Sequence, residues 1–188
     1  RAWDALLEEH AECTLPPRFK RAVVWIVDAL RYDFLADALP GNGSTPNVYM
    51  HNLLRTPAER TRHVPRGSFL AHFVADPPTT TLQRLKGLTT GSLPTFIEAG
   101  ANFGGAGRVR EDTWIGQLRE RALAARGNAT GGMTFVGDDT WQMVFASLFD
   151  EAWPYSSFNV EDLDTVDAGV EQRMLHAMEQ PDWTLIVA

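Results

Sequence analysis

Two places in the chain set an oxygen-bearing side chain where chemistry is commonly done. Asp28 closes the apolar run Ala22-Val23-Val24-Trp25-Ile26-Val27, at the expected carboxyl end of a buried strand. A carboxylate there is costly unless it is paired, hydrogen-bonded or bound to a metal. Two readings stand side by side: an N-cap for the following ALRYDFL, or a metal ligand or catalytic group. The second place is DPPTTTLQRLKGLTTGSLPTF, residues 76–96, where Thr79, Thr80 and Thr81 precede a helical pattern. One threonine could simply cap that helix. Alternatively, one is a nucleophile, and a hydroxyl so weakly acidic then needs a base or a metal ion. A helix N-terminus behind it would favour an anionic group, and Arg84, one turn in, could neutralise a phosphoryl oxygen.

Asp138 and Asp139 repeat the strand-end arrangement after MTFVG. Adjacent carboxylates point apart, so one is expected to cap the helix beginning near Thr140 and the other to face the crevice. The five histidines, His10, His51, His63, His72 and His176, show no short metal-ligand spacing, and His176 reads as a solvated helix residue. The GGAGRV stretch at 104–109 lacks the Lys-Ser/Thr of a phosphate-binding loop and reads as a turn. Asn42 and Asn128 each open a glycosylation triplet in a polar, glycine-containing stretch.

The elements that must hold these residues alternate. The N-terminal WDALLEEHAE is a short amphipathic piece ended by Pro16-Pro17, and residues 1–20 read as an extension ahead of the domain at 21–188. A strand at 22–27, buried on both faces, comes next. NVYMHNLLR is a candidate short helix, and GSFLAHFVAD, residues 67–76, a candidate second strand. TLQRLKGLTTG has helical spacing closed by Gly91. EDTWIGQLRERALAARG is an amphipathic helix with acids at its start, arginines towards its end and Gly127 just beyond. MTFVGDDTW gives a strand, NVEDLDTVDAGVEQRMLHAMEQP a capped acidic helix, and DWTLIVA a final strand. The alternation predicts an α/β domain: a mostly parallel sheet flanked by helices, with its ligands beyond the carboxyl ends of the strands. Because the last strand stops where another such loop would begin, an incomplete domain, cut after a strand, is expected.

The composition removes several classes. With 44% hydrophobic and 22% charged residues the 188-residue chain can build a core and is not of disordered type. A net charge of −7 argues against a nucleic-acid partner. No apolar run approaches the roughly 18–20 residues of a membrane span, and no segment has the order of a signal peptide. Cys13 is the only cysteine, so an internal disulfide framework and a Cys-rich zinc site are both excluded.

Through VVWIVDALRYDF, the threonine-rich segment with its following IEAGANF, FVGDDTW and SFNVEDLDTVDAGV, the chain from about Ala22 onward resembles the GPI ethanolamine phosphate transferases, most nearly their type 3 (PIG-O type). The family belongs to the alkaline phosphatase superfamily, so the resemblance implies an α/β/α fold and a two-zinc site. It implies that Asp28 binds one zinc. Related diesterases share a Pro-Thr-x-Thr frame ahead of a Thr-Gly. Pro78, Thr79, Thr81, Thr90 and Gly91 fit it, which selects Thr81 as nucleophile and metal ligand, with Thr80 its nearest competitor. Arg84 stands where those relatives have an Asn that steadies the phosphoryl group. Asp138 and Asp139 fit the family pattern as candidate substrate-binding residues. The family's Asp-His-x-Gly-His and Asp-His-Gly motifs do not occur here, so the remaining zinc ligands are expected beyond residue 188. The implied reaction moves phosphoethanolamine from phosphatidylethanolamine to Thr81, and then to a mannose hydroxyl of the GPI precursor. The implied setting is the lumenal face of the endoplasmic reticulum membrane, with membrane segments outside these residues, a small membrane partner subunit, and glycosylation at Asn42 and Asn128. This fragment alone is then expected to be inactive. The alternatives are another superfamily phosphodiesterase or hydrolase, and a non-catalytic α/β binding module in which Asp28 and Thr81 only cap helices.

Overall fold

The computed structural model describes residues 19–32, 71–75, 77, 79–93, 111–127, 130–145, 147–156, 161–162 and 164–188. They form β1 (Ala22–Val24), α1 (Thr81–Thr90), α2 (Trp114–Ala125), β2 (Met133–Asp138), α3 (Asp139–Phe145), β3 (Glu151–Tyr155), α4 (Thr165–Glu179) and β4 (Leu185–Val187). The strands make one sheet in the order β1-β4-β2-β3, with every pairing parallel. Parallel neighbours need crossovers, and α3 and α4 supply them. Ala22 and Met133 both stand opposite Leu185, so β1 and β2 flank β4 in register. The carboxyl ends of all four strands therefore lie at one end of the sheet.

The core is built on β2. Met133, Phe135, Leu185 and Val187 pack with Ile115, Leu85, Trp141, Val144, Phe145 and Phe149 on the face covered by α1, α2 and α3. Ring centroids of Phe135 lie 5.9 Å from Trp141 and 5.5 Å from Phe149, inside the range of favourable aromatic pairs. Strand alternation turns Val136 and Ile186 to the opposite face, where α4 packs on β2 with Val170 and Ala177 buried. This three-layer α/β arrangement is what the alternating pattern predicts, and it is consistent with part of an alkaline phosphatase-like domain.

Local signals explain the element ends. Gly91 closes α1 in the left-handed conformation, φ 72°, with its N–H on the Gly87 carbonyl at 2.9 Å. Thr113 caps α2, its Oγ1 accepting the Gly116 N–H at 3.0 Å. Asp138 Oδ1 accepts the Thr140 N–H at 2.6 Å, so the first of the two aspartates performs the expected capping.

Three expectations change. The strand after Arg21 is not buried on both faces: Val24 and Ile26 pack on the core, while Val23, Trp25 (66% exposed) and Val27 (53%) are exposed. β1 is an edge strand among the described residues, and α4 packs chiefly on β2, β3 and β4. Residues 71–75, the described part of the second candidate strand, are exposed and form no strand, and no described strand pairs with them. Conversely, β3 was not foreseen; EAWPY is short and carries Pro154, which is tolerated on an outer strand. The candidate helix in NVYMHNLLR lies outside the described residues, as do Asn42, Asn128 and nearly all of the N-terminal extension.

Candidate functional site

Beyond β1 the ladder continues for one more step, with Ile26 N–H on the Ala188 carbonyl at 2.8 Å. The backbone then bends at Asp28-Ala29. Ala29 has φ 54°, the left-handed region that costs an L-residue roughly 1–2 kcal/mol. Its N–H donates to Asp28 Oδ1 at 3.0 Å, which fixes the carboxylate. Strain of this kind, retained beside an exposed carboxylate, is characteristic of functional sites. Among the described residues no α-helix begins at Asp28, so the capping role open to it in the sequence is not the one it fills here.

The other oxygen meets α1. Thr81 Oγ1 lies 3.4 Å from Asp28 Oδ2, bridging residues from distant parts of the chain. The hydroxyl is directed at the carboxylate, yet the distance exceeds the 2.5–3.0 Å of an ordinary O–H···O bond. Two ligands of one tetrahedral zinc ion, each about 2.1 Å from it, would stand about 3.4 Å apart. The pair therefore fits as two oxygen ligands of one cation. Among the described residues no group of three or more His, Cys, Asp or Glu could complete such a site.

Thr80 occupies the N-cap position of α1, with φ −75° and ψ 147°, but its side chain makes no capping bond. Of the two candidate hydroxyls, only that of Thr81 meets Asp28. Arg84 donates its N–H to the Thr80 carbonyl at 3.0 Å, while its guanidinium Nε and Nη2 are buried without a hydrogen-bond partner among the described residues. Asp138 and Asp139 share the carboxyl end of the sheet with Asp28. Two strand spacings across β4, about 10 Å between backbones, separate their strand from that of Asp28. His176 is exposed on α4, as expected.

Gln83 was missed by reading the sequence for chemistry. It is 2% exposed, and neither Oε1 nor Nε2 has a partner among the described residues. The available signal was Thr80-x-x-Gln83, the spacing of a capping box, in which both side chains would bond back to the first turn. Neither of those side-chain bonds is made.

A parallel α/β sheet whose strand-end carboxylate meets a hydroxyl at a helix N-terminus sets both groups where α/β domains place their ligands. The comparisons narrow that class of domain. The chain is 44% identical to GPI ethanolamine phosphate transferase 3 of Saccharomyces cerevisiae over 98% of its length. It is 40% identical to the human protein named GPI ethanolamine phosphate transferase 3, catalytic subunit, over 94%. Similarity to GPI ethanolamine phosphate transferase 2 of Aspergillus fumigatus is lower, 32% over 96%. Over the span it covers, the chain belongs to the GPI ethanolamine phosphate transferase family and stands with type 3. It spans only 17% of the yeast relative and 16% of the human one. No family model and no solved structure matches it.

Proposed function

We propose that this chain carries the nucleophile half of the active site of an enzyme that transfers phosphoethanolamine from phosphatidylethanolamine to a mannose hydroxyl of the GPI precursor. The observation carrying the reading is the approach of Thr81 Oγ1 to Asp28 Oδ2 at 3.4 Å, at the N-terminus of α1. A zinc ion held by these two oxygens would lower the hydroxyl pKa and offset developing negative charge. A second zinc, and the remaining ligands of both, would come from the rest of the longer protein.

The chain's own residues then do the following. Asp28, fixed by the Ala29 N–H, orients the Thr81 hydroxyl. Thr81 Oγ1 gives up its proton and bonds to phosphorus as the phosphorus–oxygen bond to diacylglycerol breaks; the departing oxygen takes up a proton, so diacylglycerol leaves as the alcohol and phosphoethanolamine stays on Thr81. The mannose hydroxyl oxygen then bonds to phosphorus and loses its proton, the bond to Thr81 breaks, and Thr81 Oγ1 takes a proton back. The helix N-terminus and the Arg84 guanidinium face the phosphoryl oxygens in both steps. Asp138 and Asp139 stand at the same end of the sheet as candidate substrate-binding groups.

The relatives' names support the GPI precursor as acceptor. The words "catalytic subunit" in the human and mouse names support a partner subunit. We place the domain on the lumenal side of the endoplasmic reticulum membrane. No helix among the described residues is long and apolar enough to cross a bilayer. The test is substitution in the full-length enzyme. Thr81→Ala should cut transfer on the order of 10⁴-fold or more, while Thr80→Ala retains most of it. Substantial transfer by Thr81→Ala would remove it as nucleophile.

A further inference from the structure

Asp28 and Thr81 come from segments that the core seats close together without fixing how the two side chains meet. Val24 and Ile26 of the first segment, and Leu82 and Leu85 of the second, lie in or against one apolar cluster. Past Ile26 the chain leaves the ladder and turns at Asp28-Ala29, with Ala29 held at φ 54° against its preference. The Ala29 N–H bond to Asp28 Oδ1 lies within the turn, so it leaves the direction of the turn open. The Thr81 hydroxyl, exposed and 3.4 Å from Asp28 Oδ2, is too distant to hold it. A second contact joins the same two segments. Tyr32, half-buried at the far end of the turn, stacks on His72, which stands on the approach to α1; the ring centroids are 4.6 Å apart and the planes 26° from parallel. Rings so placed attract one another beyond the area they bury, by an amount of the same order as the cost of a left-handed alanine. Residues 71–75 pair with no described strand, so the stack is a contact that places them. The Ile26 N–H on the Ala188 carbonyl anchors the start of the turn, the stack anchors its end, and Asp28 lies between.

We infer that Tyr32 and His72 are positioning residues for the Asp28–Thr81 pair. Their stack closes the turn after β1 onto the approach to α1, and so keeps the Asp28 carboxylate directed at the Thr81 hydroxyl. The role uses the faces of the two rings and needs neither the tyrosine hydroxyl nor an imidazole nitrogen, so a phenyl ring in either place would serve. It is thereby separable from a role in which His72 binds a metal ion, and among the described residues His72 joins no group of three or more metal-ligating side chains. The role rests on the proposed function, which makes Thr81 the group that the carboxylate orients.

The experiment is steady-state transfer by the full-length enzyme, with phosphatidylethanolamine as donor. Tyr32→Ala and His72→Ala should each lower kcat roughly three- to tenfold, which is what losing one aromatic pair amounts to. The KM for the donor should stay within about twofold, because the stack acts on the reacting pair and not on the substrate. The double variant should be no slower than either single one, since each ring acts only through the other. Tyr32→Phe and His72→Phe keep a ring in each place and should retain most of the parent's kcat. Parent-like kcat in both alanine variants overturns the positioning role, and so do losses that multiply in the double variant. A His72→Phe enzyme as slow as His72→Ala also overturns it, since the imidazole itself would then be the working group. Tyr32→Leu and His72→Leu fill the space without a ring and take the place of alanine variants that do not fold; if these too fail to fold, the stack serves the fold and the positioning role falls. Thr81→Ala keeps the two readings apart. An active Thr81→Ala removes the nucleophile, whereas an inactive one beside parent-like Tyr32→Ala and His72→Ala removes only the positioning role.

Discussion

Asp150, just ahead of β3, shows how one loop residue can tie two elements, α2 and β2. Its Oδ1 accepts from Arg119 Nη1 of α2 at 3.1 Å, its Oδ2 accepts from the Met133 N–H at 2.9 Å, and its own N–H donates to the Met133 carbonyl at 2.8 Å. Arg119 also donates to the Leu148 carbonyl at 2.8 Å. With side-chain exposures of 22% for Arg119 and 14% for Asp150, the pair is mostly out of water, so loss of one partner strands the other. Asp150→Ala should cost about 3 kcal/mol, read from the denaturation midpoint; a loss under about 1 kcal/mol would show the pair behaving as a surface one. Asp162 acts more gently. The Thr165 hydroxyl and N–H, with the Asp164 N–H, hold its carboxyl below the usual 3.8. The unfolded chain therefore takes up this proton first. The contribution is complete above about pH 4 and fades as pH falls through the lowered folded value. Hydrogen exchange in the first turn of α4 should speed up over that acid range in the parent, and Asp162→Ala should remove the step; a parent without it contradicts the assignment.

At the scale of elements, the end of α1 and the course of β2 into Asp138 were legible because each rests on local chemistry: a left-handed glycine and a run of buried β-formers. β3 was not legible, since its five residues owe their strand form to pairing with β2 from Thr134 to Asp138 rather than to their own types. The apolar character of Val23, Trp25 and Val27 could be read, but not the absence of a cover over them among the described residues. The site divides in the same way. Asp28 and Thr81 each carried a capping alternative in the sequence, and their approach across the fold could not be read from it. Gly132 belongs to this scale as well. It has φ 67°, its carbonyl accepts the Thr184 N–H at 2.6 Å, and a methyl there would run into the Asp182 carbonyl oxygen. Gly132→Ala thus combines backbone strain with a collision against backbone that cannot rotate aside. It should cost roughly 3 kcal/mol or more and open the β2–β4 seam; a thermal midpoint equal to the parent's would contradict that account.

For the molecule as a whole, the described residues offer a prospective zinc ion two oxygens, and structural or catalytic zinc sites use three or four protein ligands. The 188-residue chain alone should therefore bind zinc more weakly than about 1 μM at neutral pH. Isothermal titration calorimetry is the check, and a sub-micromolar dissociation constant would mean that further ligands lie within these residues. The sheet order carries one more consequence, for how the molecule is made. Asp28 is held in place by β1, and β1 is paired through Ala22, Val23 and Val24 to Leu185, Ile186 and Val187. The two partners come from opposite ends of the chain, so a ribosome releases the first long before it makes the second. β2, α3 and β3 can collapse on one another early, as near neighbours do. The carboxylate that meets Thr81 must wait for β4, and the longest loop in the sheet closes last.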